Sequence, residues 1–134
     1  MDTVSRKKRS EVMGRVKGKD TRPEMVVRRM LHGLGYRYRL HAPELPGRPD
    51  IVFRQRKKVI FVHGCFWHRH DNCKLARIPK SRVEFWTQKL TQNKERDQRN
   101  LQDLVNNGWK VLIIWECELT DIVALKARVQ QFLD

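Results

Sequence analysis

The sequence predicts one domain with three layers, α/β/α, in which helices cover both faces of a single sheet. At 134 residues the chain can bury one core but is short for two. Segments with helical spacing of apolar residues alternate with short β-branched runs, and residues 109–116 form a continuous apolar run of strand length. Helices separated by strands in this way predict a layered α/β domain, here over residues 23–134.

The first ordered element predicted is an amphipathic helix. Residues 1–22 are polar and basic, which predicts an arm. Pro23 suits a first helical position, and Thr21 lies three residues before Glu24, the spacing of a capping box. The apolar spacing that follows ends near residues 33–35.

Three strands and a loop are predicted next. Residues 36–40 alternate in polarity and predict an edge strand, while residues 41–49 contain three prolines and a glycine and predict a loop. Residues 50–53 and 58–63 are β-branched runs joined by the charged turn 54–57. They predict a hairpin of two core strands.

The second half of the chain predicts a long helix, a buried strand and a last helix. Residues 64–80 lack periodicity and hold most of the Cys and His, so we expect an irregular loop organised by a metal. Residues 109–116 predict a strand buried on both sides, and 119–133 an amphipathic helix. The long helix spans 81–107, and its predicted apolar face consists of Phe85, Trp86, Leu90, Leu101, Leu104 and Val105.

The charge of the chain indicates a polyanionic partner. Lys and Arg number 29 against 15 Asp and Glu, which gives a formal net charge of +14 and an isoelectric point near 10.4. A solvated basic surface is the alternative, but the interleaving of basic residues with four Trp favours nucleic acid. No apolar run reaches the length of a membrane span or of a signal peptide, so we expect a cytoplasmic location and no membrane.

The clustered cysteines predict a zinc site. Cys65, His70 and Cys73 lie within nine positions, and Cys117 follows the predicted buried strand. Three thiolates and one imidazole complete a tetrahedral Zn²⁺ site with no position for water, which is typical of a structural site. His63 and His68 are competing imidazoles, and three unconnected buried cysteines are the alternative.

A second pattern indicates catalysis with Mg²⁺. Asp50 opens one strand of the hairpin and His63 ends the other, so a carboxylate for Mg²⁺ and a group that acts on water can meet at strand ends. An Asp after a Pro is also a common turn residue. His68 is a further candidate for this site.

Glu24 and Asp97 are two further carboxylates for which the spacing leaves alternatives. Asp97 lies in phase with the apolar face of the long helix, where an inward carboxylate has a partner or a function. An ion pair with an Arg of the same helix is the alternative. Glu24 can equally complete the capping box with Thr21.

Aromatic side chains in the metal loop predict contacts with bases. Phe66 and Trp67 are adjacent in this loop, and Trp86 opens the long helix. Apolar wedges on a basic surface can enter between base steps of a duplex. A core position is the alternative for each, but adjacent large aromatics in one loop cannot both point easily into one core.

Several segments together resemble the very-short-patch repair (Vsr) endonucleases. The resemblance runs from about Arg9 through Cys117, and its "HGCFWH" motif is highly specific. The segment "RSEVMGRVKGKDTRPE" is similar to the family's N-terminal arm. The other matching segments are "LPGRPDIVF", "VIFVHGCFWHRHDNC", "EFWTQKLTQNKERD" and "GWKVLIIWEC".

The resemblance implies a restriction-endonuclease-like fold and an enzyme that nicks one DNA strand 5′ to the thymine of a T:G mismatch, the product of 5-methylcytosine deamination. It implies catalytic Mg²⁺ held by Asp50 and the main-chain carbonyl of Val62, and structural Zn²⁺ held by the cysteines and His70. The implied water and proton-transfer network consists of His63, His68, Glu24 and Asp97.

The resemblance also implies how DNA is held. Phe66, Trp67 and Trp86 match an aromatic wedge that enters beside the mismatch from the major groove, and Met13 matches an arm residue that enters from the minor groove. Phe61 and His63 stand where related nucleases have an acid and a lysine, so catalysis depends more on histidine. Other mismatch-repair proteins become candidate partners, and an asymmetric mismatch favours a monomer.

Two other functions fit the composition. A non-catalytic, zinc-stabilised DNA-binding module would need the charge, the aromatics and the metal, but it would have no use for Asp50 and His63. A nuclease of the same fold that acts on branched DNA or on a sequence would share the catalytic residues. A nicking assay on matched, mismatched and branched duplexes separates the three.

Overall fold

The computed structural model describes residues 20–134. The predicted arm up to residue 19, including Met13, lies outside these residues, and Arg22, expected in the arm, is the first residue of a helix. The helices are α1 (Arg22–Gly33), α2 (Val83–Asn106) and α3 (Ile122–Leu133), and the strands are β1 (Arg39–Leu40), β2 (Ile51–Phe53), β3 (Lys58–His63) and β4 (Lys110–Trp115).

The strands form one mixed sheet with the order β1-β2-β3-β4. The β1 and β2 strands pair antiparallel, as do β2 and β3, which form the predicted hairpin. The β3 and β4 strands pair parallel, from Lys58 opposite Lys110 to His63 opposite Trp115. Parallel neighbours need a crossover connection, and α2 provides it. The carboxyl ends of β3 and β4 therefore meet at one edge of the sheet.

Two separate cores lie on opposite faces of the sheet. On one face, α1 and α3 pack through residues such as Leu31 and Val129 against Ile60 of β3 and Ile114 of β4. On the other face, α2 packs through Leu104 against a smaller cluster. The sequence therefore predicted the three-layer α/β/α architecture correctly. Alternate residues of a strand point to opposite faces, so His63 lies on the same face as Phe61, the side covered by α2.

Local capping sets the helix boundaries. The Thr21 hydroxyl accepts a hydrogen bond from the Glu24 amide at 3.4 Å, and Pro23 lies in the first turn of α1. The last helix starts later than predicted, because Asp121 caps it by accepting from the Ala124 amide at 3.1 Å. A short 3₁₀ turn, Glu116–Thr120, occupies the predicted first residues.

Three packing predictions differ from the structure. Phe85 and Val105 were placed on the apolar face of the long helix, but they are 43% and 51% exposed. Only Leu90 and Leu104 of that face are fully buried. The strand predicted to be buried on both sides, β4, lies at an edge of the described sheet and alternates between buried and half-buried residues, because α2 covers its second face incompletely. None of the described helices is long and apolar enough to cross a membrane.

Candidate active site and metal centre

Asp50 lies immediately before β2, next to the carboxyl-terminal end of β3. Its Oδ2 atom accepts a hydrogen bond from the Val62 amide at 2.7 Å. Burial raises the pKa of Asp50, and this effect is offset in part by the Val62 hydrogen bond and by the charges of His41, His68 and Arg28. A desolvated carboxylate is stabilised by a cation at its oxygens, and a bound metal ion would supply that charge.

Two histidines and an aspartate form a group beside this carboxylate. The His68 Nδ1 atom lies 2.6 Å from Oδ2 of Asp97, so α2 holds the imidazole of the loop. The ring of His68 stacks on that of His63, with centroids 3.7 Å apart and an angle of 6° between the planes. Ligand atoms of His63, His68 and Asp97 all lie within 4.8 Å of one another.

His63 is a neutral imidazole in this group. It is only 6% exposed, and its Nδ1 atom is buried without a hydrogen-bond partner among the described residues. Burial, assisted by the neighbouring His68, lowers the pKa of His63 to about 3. A positive charge on this ring is therefore disfavoured at physiological pH, and His63 presents a flat, uncharged surface to His68.

Glu24 lies at the centre of a second group of charged side chains. It is 2% exposed, and its Oε2 atom accepts from the Asp20 amide at 3.2 Å, from Arg28, and from Nε2 of His41 at 2.9 Å. The capping-box alternative is therefore only half realised: Thr21 caps the helix, but the Glu24 carboxylate bonds elsewhere. The charges of His41 and Arg28 lower the pKa of Asp50, so the group around Glu24 lies close to Asp50.

The third group contains the cysteines. The Sγ atoms of Cys65, Cys73 and Cys117 and one ring nitrogen of His70 all lie within 4.8 Å of one another. The Nδ1 atom of His70 is 3.5 Å from Sγ of Cys117, and the His70 ring stacks on Trp115 at 4.1 Å. Four ligands at zinc–sulfur and zinc–nitrogen distances would lie about 3–4 Å apart, so this group fits one tetrahedral ion.

The chemistry of the thiols also fits a metal. Cys65 is fully buried, and burial raises its pKa to about 12. A buried thiolate is therefore unfavourable unless a cation compensates its charge, which a bound metal ion does. This group brings the loop after β3 together with the end of β4 through Cys117.

Aromatic rings form a cluster at the surface between the metal loop and α2. Phe66, Trp67 and Trp86 are half-buried and contact one another edge to face, with centroid distances of 4.9, 5.3 and 5.9 Å. Phe85 contacts Trp86 at 5.1 Å, and Arg82 lies over the Phe85 ring at 4.3 Å. We call these four rings the aromatic cluster.

The structure thus sorts the predicted residues into neighbouring groups. His70 joins the cysteines, whereas the competing His63 and His68 join Asp97. Asp97 pairs with His68 and not with an Arg of its own helix. Sequence reasoning missed Phe85 and His41. The position of Phe85 next to Trp86 could have indicated that Phe85 belongs to the aromatic cluster. No local pattern indicates that His41 reaches a carboxylate of another element.

Acidic residues and histidines that meet beside a strand end of a mixed α/β sheet are suited to the hydrolysis of a phosphodiester bond. A sequence model described as DNA mismatch endonuclease Vsr matches residues 1–75. The type II nicking enzyme V.XorIIP of Xanthomonas oryzae is 50% identical to the chain, covering 99% of the chain and 97% of that protein. The chain belongs to the Vsr family of DNA endonucleases.

Two more relatives support this membership. The type II nicking enzyme V.NmeAIP of Neisseria meningitidis is 42% identical, covering 98% of the chain and 94% of that protein. The DNA mismatch endonuclease Vsr of Escherichia coli is 41% identical, covering 98% of the chain and 87% of that protein. Membership confirms the resemblance found in the sequence, and it implies a DNA substrate and a divalent metal ion.

Proposed function

We propose that the chain nicks one strand of duplex DNA 5′ to the thymine of a T:G mismatch, such as deamination of 5-methylcytosine produces. One observation carries this proposal. The six residues 63–68 contain both the stacked histidines of the acid–histidine centre and two rings of the aromatic cluster. One segment therefore carries both the histidines that would hydrolyse the DNA backbone and the rings that can open a base step. It holds them at a fixed distance from each other.

Helix α2 strengthens this coupling. Asp97 of α2 binds His68, and one turn earlier Asn93 donates to the main-chain carbonyl of Trp67 at 3.2 Å. Both contacts hold the same loop against the same helix. A DNA distortion at the aromatic cluster would therefore act on a loop that also carries the hydrolytic groups, and a non-catalytic binding module would have no use for that connection.

Asp50 and the main-chain carbonyl of Val62 would hold Mg²⁺. The amide of Val62 already points at Asp50, and the carbonyl of a strand residue points to the same side as its amide. These two oxygen donors suit a hard cation. Mg²⁺, when bound, stabilises charge on the phosphate and makes a coordinated water more acidic.

His68 would take the proton of the attacking water. Because Asp97 occupies Nδ1 of His68, a neutral ring carries its proton there and leaves Nε2 free to accept one. The Asp97 carboxylate then stabilises the imidazolium that forms. His63 holds the His68 ring in place by stacking and stays neutral, so it does not oppose that charge.

The four-residue Cys–His group would hold a structural Zn²⁺. The ligands Cys65, His70, Cys73 and Cys117 fill all four positions, so no site is left for water. The ion would tie the loop after β3 to the end of β4. It would thereby fix residues 63–68, which carry the hydrolytic and aromatic groups.

The aromatic cluster would supply preference for a mismatch. A mismatched step stacks less well than a paired one, so opening it costs less free energy. Phe66, Trp67 and Trp86 would enter from the major groove, with Met13 of the arm on the opposite side. Because one asymmetric lesion needs one active site, a monomer suffices.

A nicking assay tests the proposal. With Mg²⁺ the protein should cut only the T strand of a T:G duplex, 5′ to the thymine, and should leave matched T:A and C:G duplexes and branched DNA intact. Cleavage of both strands, or equal cleavage of the matched duplexes, would contradict it. Two of the relatives are named type II nicking enzymes, so cleavage of a matched duplex at one short sequence would instead favour a sequence-specific nicking enzyme.

Trp67→Ala should lower affinity for the T:G duplex by about 10- to 100-fold, because stacking of one aromatic ring on a base contributes about 1–3 kcal/mol. Affinity for matched DNA should change much less, and metal content and melting temperature should stay the same. Fluorescence anisotropy with labelled T:G and matched duplexes measures both affinities.

Leu75→Ala is the matched control for Trp67→Ala. Leu75 is an apolar residue of the same loop that is 52% exposed and lies outside the aromatic cluster. Its loss should leave the preference for T:G unchanged. Equal losses of affinity on both duplexes for Trp67→Ala would make Trp67 a packing residue of the loop, and the recognition role would be withdrawn.

A further inference from the structure

His41 connects two acidic residues of the candidate active site. Its amide donates to the main-chain carbonyl of Asp50 at 3.1 Å, and its Nε2 atom lies 2.9 Å from Oε2 of Glu24. One residue therefore contacts the backbone of the first acid and the side chain of the second. The distance between the two acids depends on the conformation of His41.

The backbone of His41 is held in an unfavourable conformation. Its φ angle is 47°, in the left-handed region that residues with a Cβ atom seldom adopt. Such conformations persist where surrounding contacts impose them, and they concentrate at functional sites. In this conformation His41 donates a main-chain hydrogen bond to Asp50 and a side-chain hydrogen bond to Glu24.

The contacts to Glu24 leave one of its oxygens available. Asp20, Arg28 and His41 all contact Oε2, and Oε1 has no hydrogen bond among the described residues. Because the carboxylate is buried, its orientation depends on these few partners. The hydrogen bond from the His41 amide to the Asp50 carbonyl holds the backbone of His41, so its Nε2 atom is a partner of Glu24 that is tied to the loop beside Asp50.

We propose that His41 is a positioning residue that fixes the Glu24 carboxylate relative to Asp50, so that Oε1 of Glu24 is directed at the reacting water. The inference rests on the proposed nicking activity. In this role Glu24 would orient the water by accepting a hydrogen bond from it while His68 takes its proton, and the side chain of His41 would act on the water through Glu24. For this role the His41 side chain needs only a hydrogen-bond donor at the position of Nε2.

His41→Ala and His41→Gln test this role together. A misplaced acceptor costs about 10- to 100-fold in rate, so His41→Ala should lower kcat for the T:G duplex by that factor and leave KM for DNA unchanged. His41→Gln should recover most of kcat, because its amide can donate to Glu24. In a Glu24→Gln background, His41→Ala should cause little further loss, since both changes act on one group.

The controls separate positioning from stability. His32→Ala removes an exposed histidine at the end of α1 and should keep wild-type kcat. Three results would each overturn the inference: wild-type kcat for His41→Ala, equal losses of kcat for the Ala and Gln variants, or a loss that adds to that of Glu24→Gln. In each case nicking by the wild type would still support the proposed function. Absence of nicking by the wild type would overturn both.

Discussion

Asp50→Asn should abolish nicking while the variant still binds the T:G duplex. The substitution keeps an acceptor for the Val62 amide but removes the charge that would hold Mg²⁺. Loss of such electrostatic stabilisation lowers kcat by about 10³-fold. Single-turnover cleavage of labelled T:G duplex measures the rate, and anisotropy measures the binding.

The same variant should be more stable than the wild type at neutral pH. Burial raises the pKa of Asp50, so the folded protein binds this proton more tightly than the unfolded chain does. Ionisation of the carboxylate therefore costs stability as the pH rises above its unfolded pKa. Asn removes this cost, and the melting temperature should rise at pH 7 and change less at acidic pH.

Asp103→Asn is the matched control for Asp50→Asn. Asp103 is an exposed residue of α2, and its substitution should leave both activity and melting temperature unchanged. Substantial Mg²⁺-dependent cleavage by Asp50→Asn would remove Asp50 from the active site. A fall in melting temperature would instead show that the carboxylate has a stabilising partner.

Cys117→Ser should unfold most of the protein at room temperature. A structural zinc contributes about 10 kcal/mol or more of folding free energy, which is comparable to the whole free energy of unfolding of an ordinary domain. Among the described residues, Cys117 is the one member of the Cys–His group at the end of β4, so its loss would also release the loop after β3 from the sheet. Circular dichroism and elemental analysis should show lost structure and less than one zinc per chain.

Thr120→Ala is the matched control for Cys117→Ser. The Thr120 hydroxyl donates to the Cys117 carbonyl at 3.0 Å, so this change perturbs the same turn without removing a ligand. It should retain one zinc per chain and a near wild-type melting temperature. A wild-type protein that contains no zinc, or a Cys117→Ser variant as stable as the wild type, would contradict the structural role.

Periodicity and capping signals were sufficient to predict most of the fold. The hairpin, the crossover helix and the last helix follow from patterns of apolar residues, because these patterns report which face of an element is buried. The incorrect predictions of burial also come from relying on these patterns of apolar residues. Phe85 and Val105 have helical spacing but lie outside the narrow stripe that α2 buries, since the sheet face beneath it is small.

The site was predictable only where residue type limits the chemistry. Clustered Cys and His indicated a metal, and the structure separates His70 from His68, a choice that spacing had left open. The bond from His41 to Glu24 could not be predicted, because it joins a loop to a helix 17 positions away through a left-handed backbone. Such contacts depend on tertiary geometry that no local pattern encodes.

The parallel pairing of β3 with β4 also determines how the chain can fold. Its partners, such as Lys58 and Lys110, are separated by about 50 residues, so the strands meet only after a long loop has closed. The Cys–His group spans nearly the same interval, from Cys65 to Cys117. A metal ion captured early by these ligands would close that loop before the strands pair, and it would therefore act on the rate of folding as well as on the stability of the folded state.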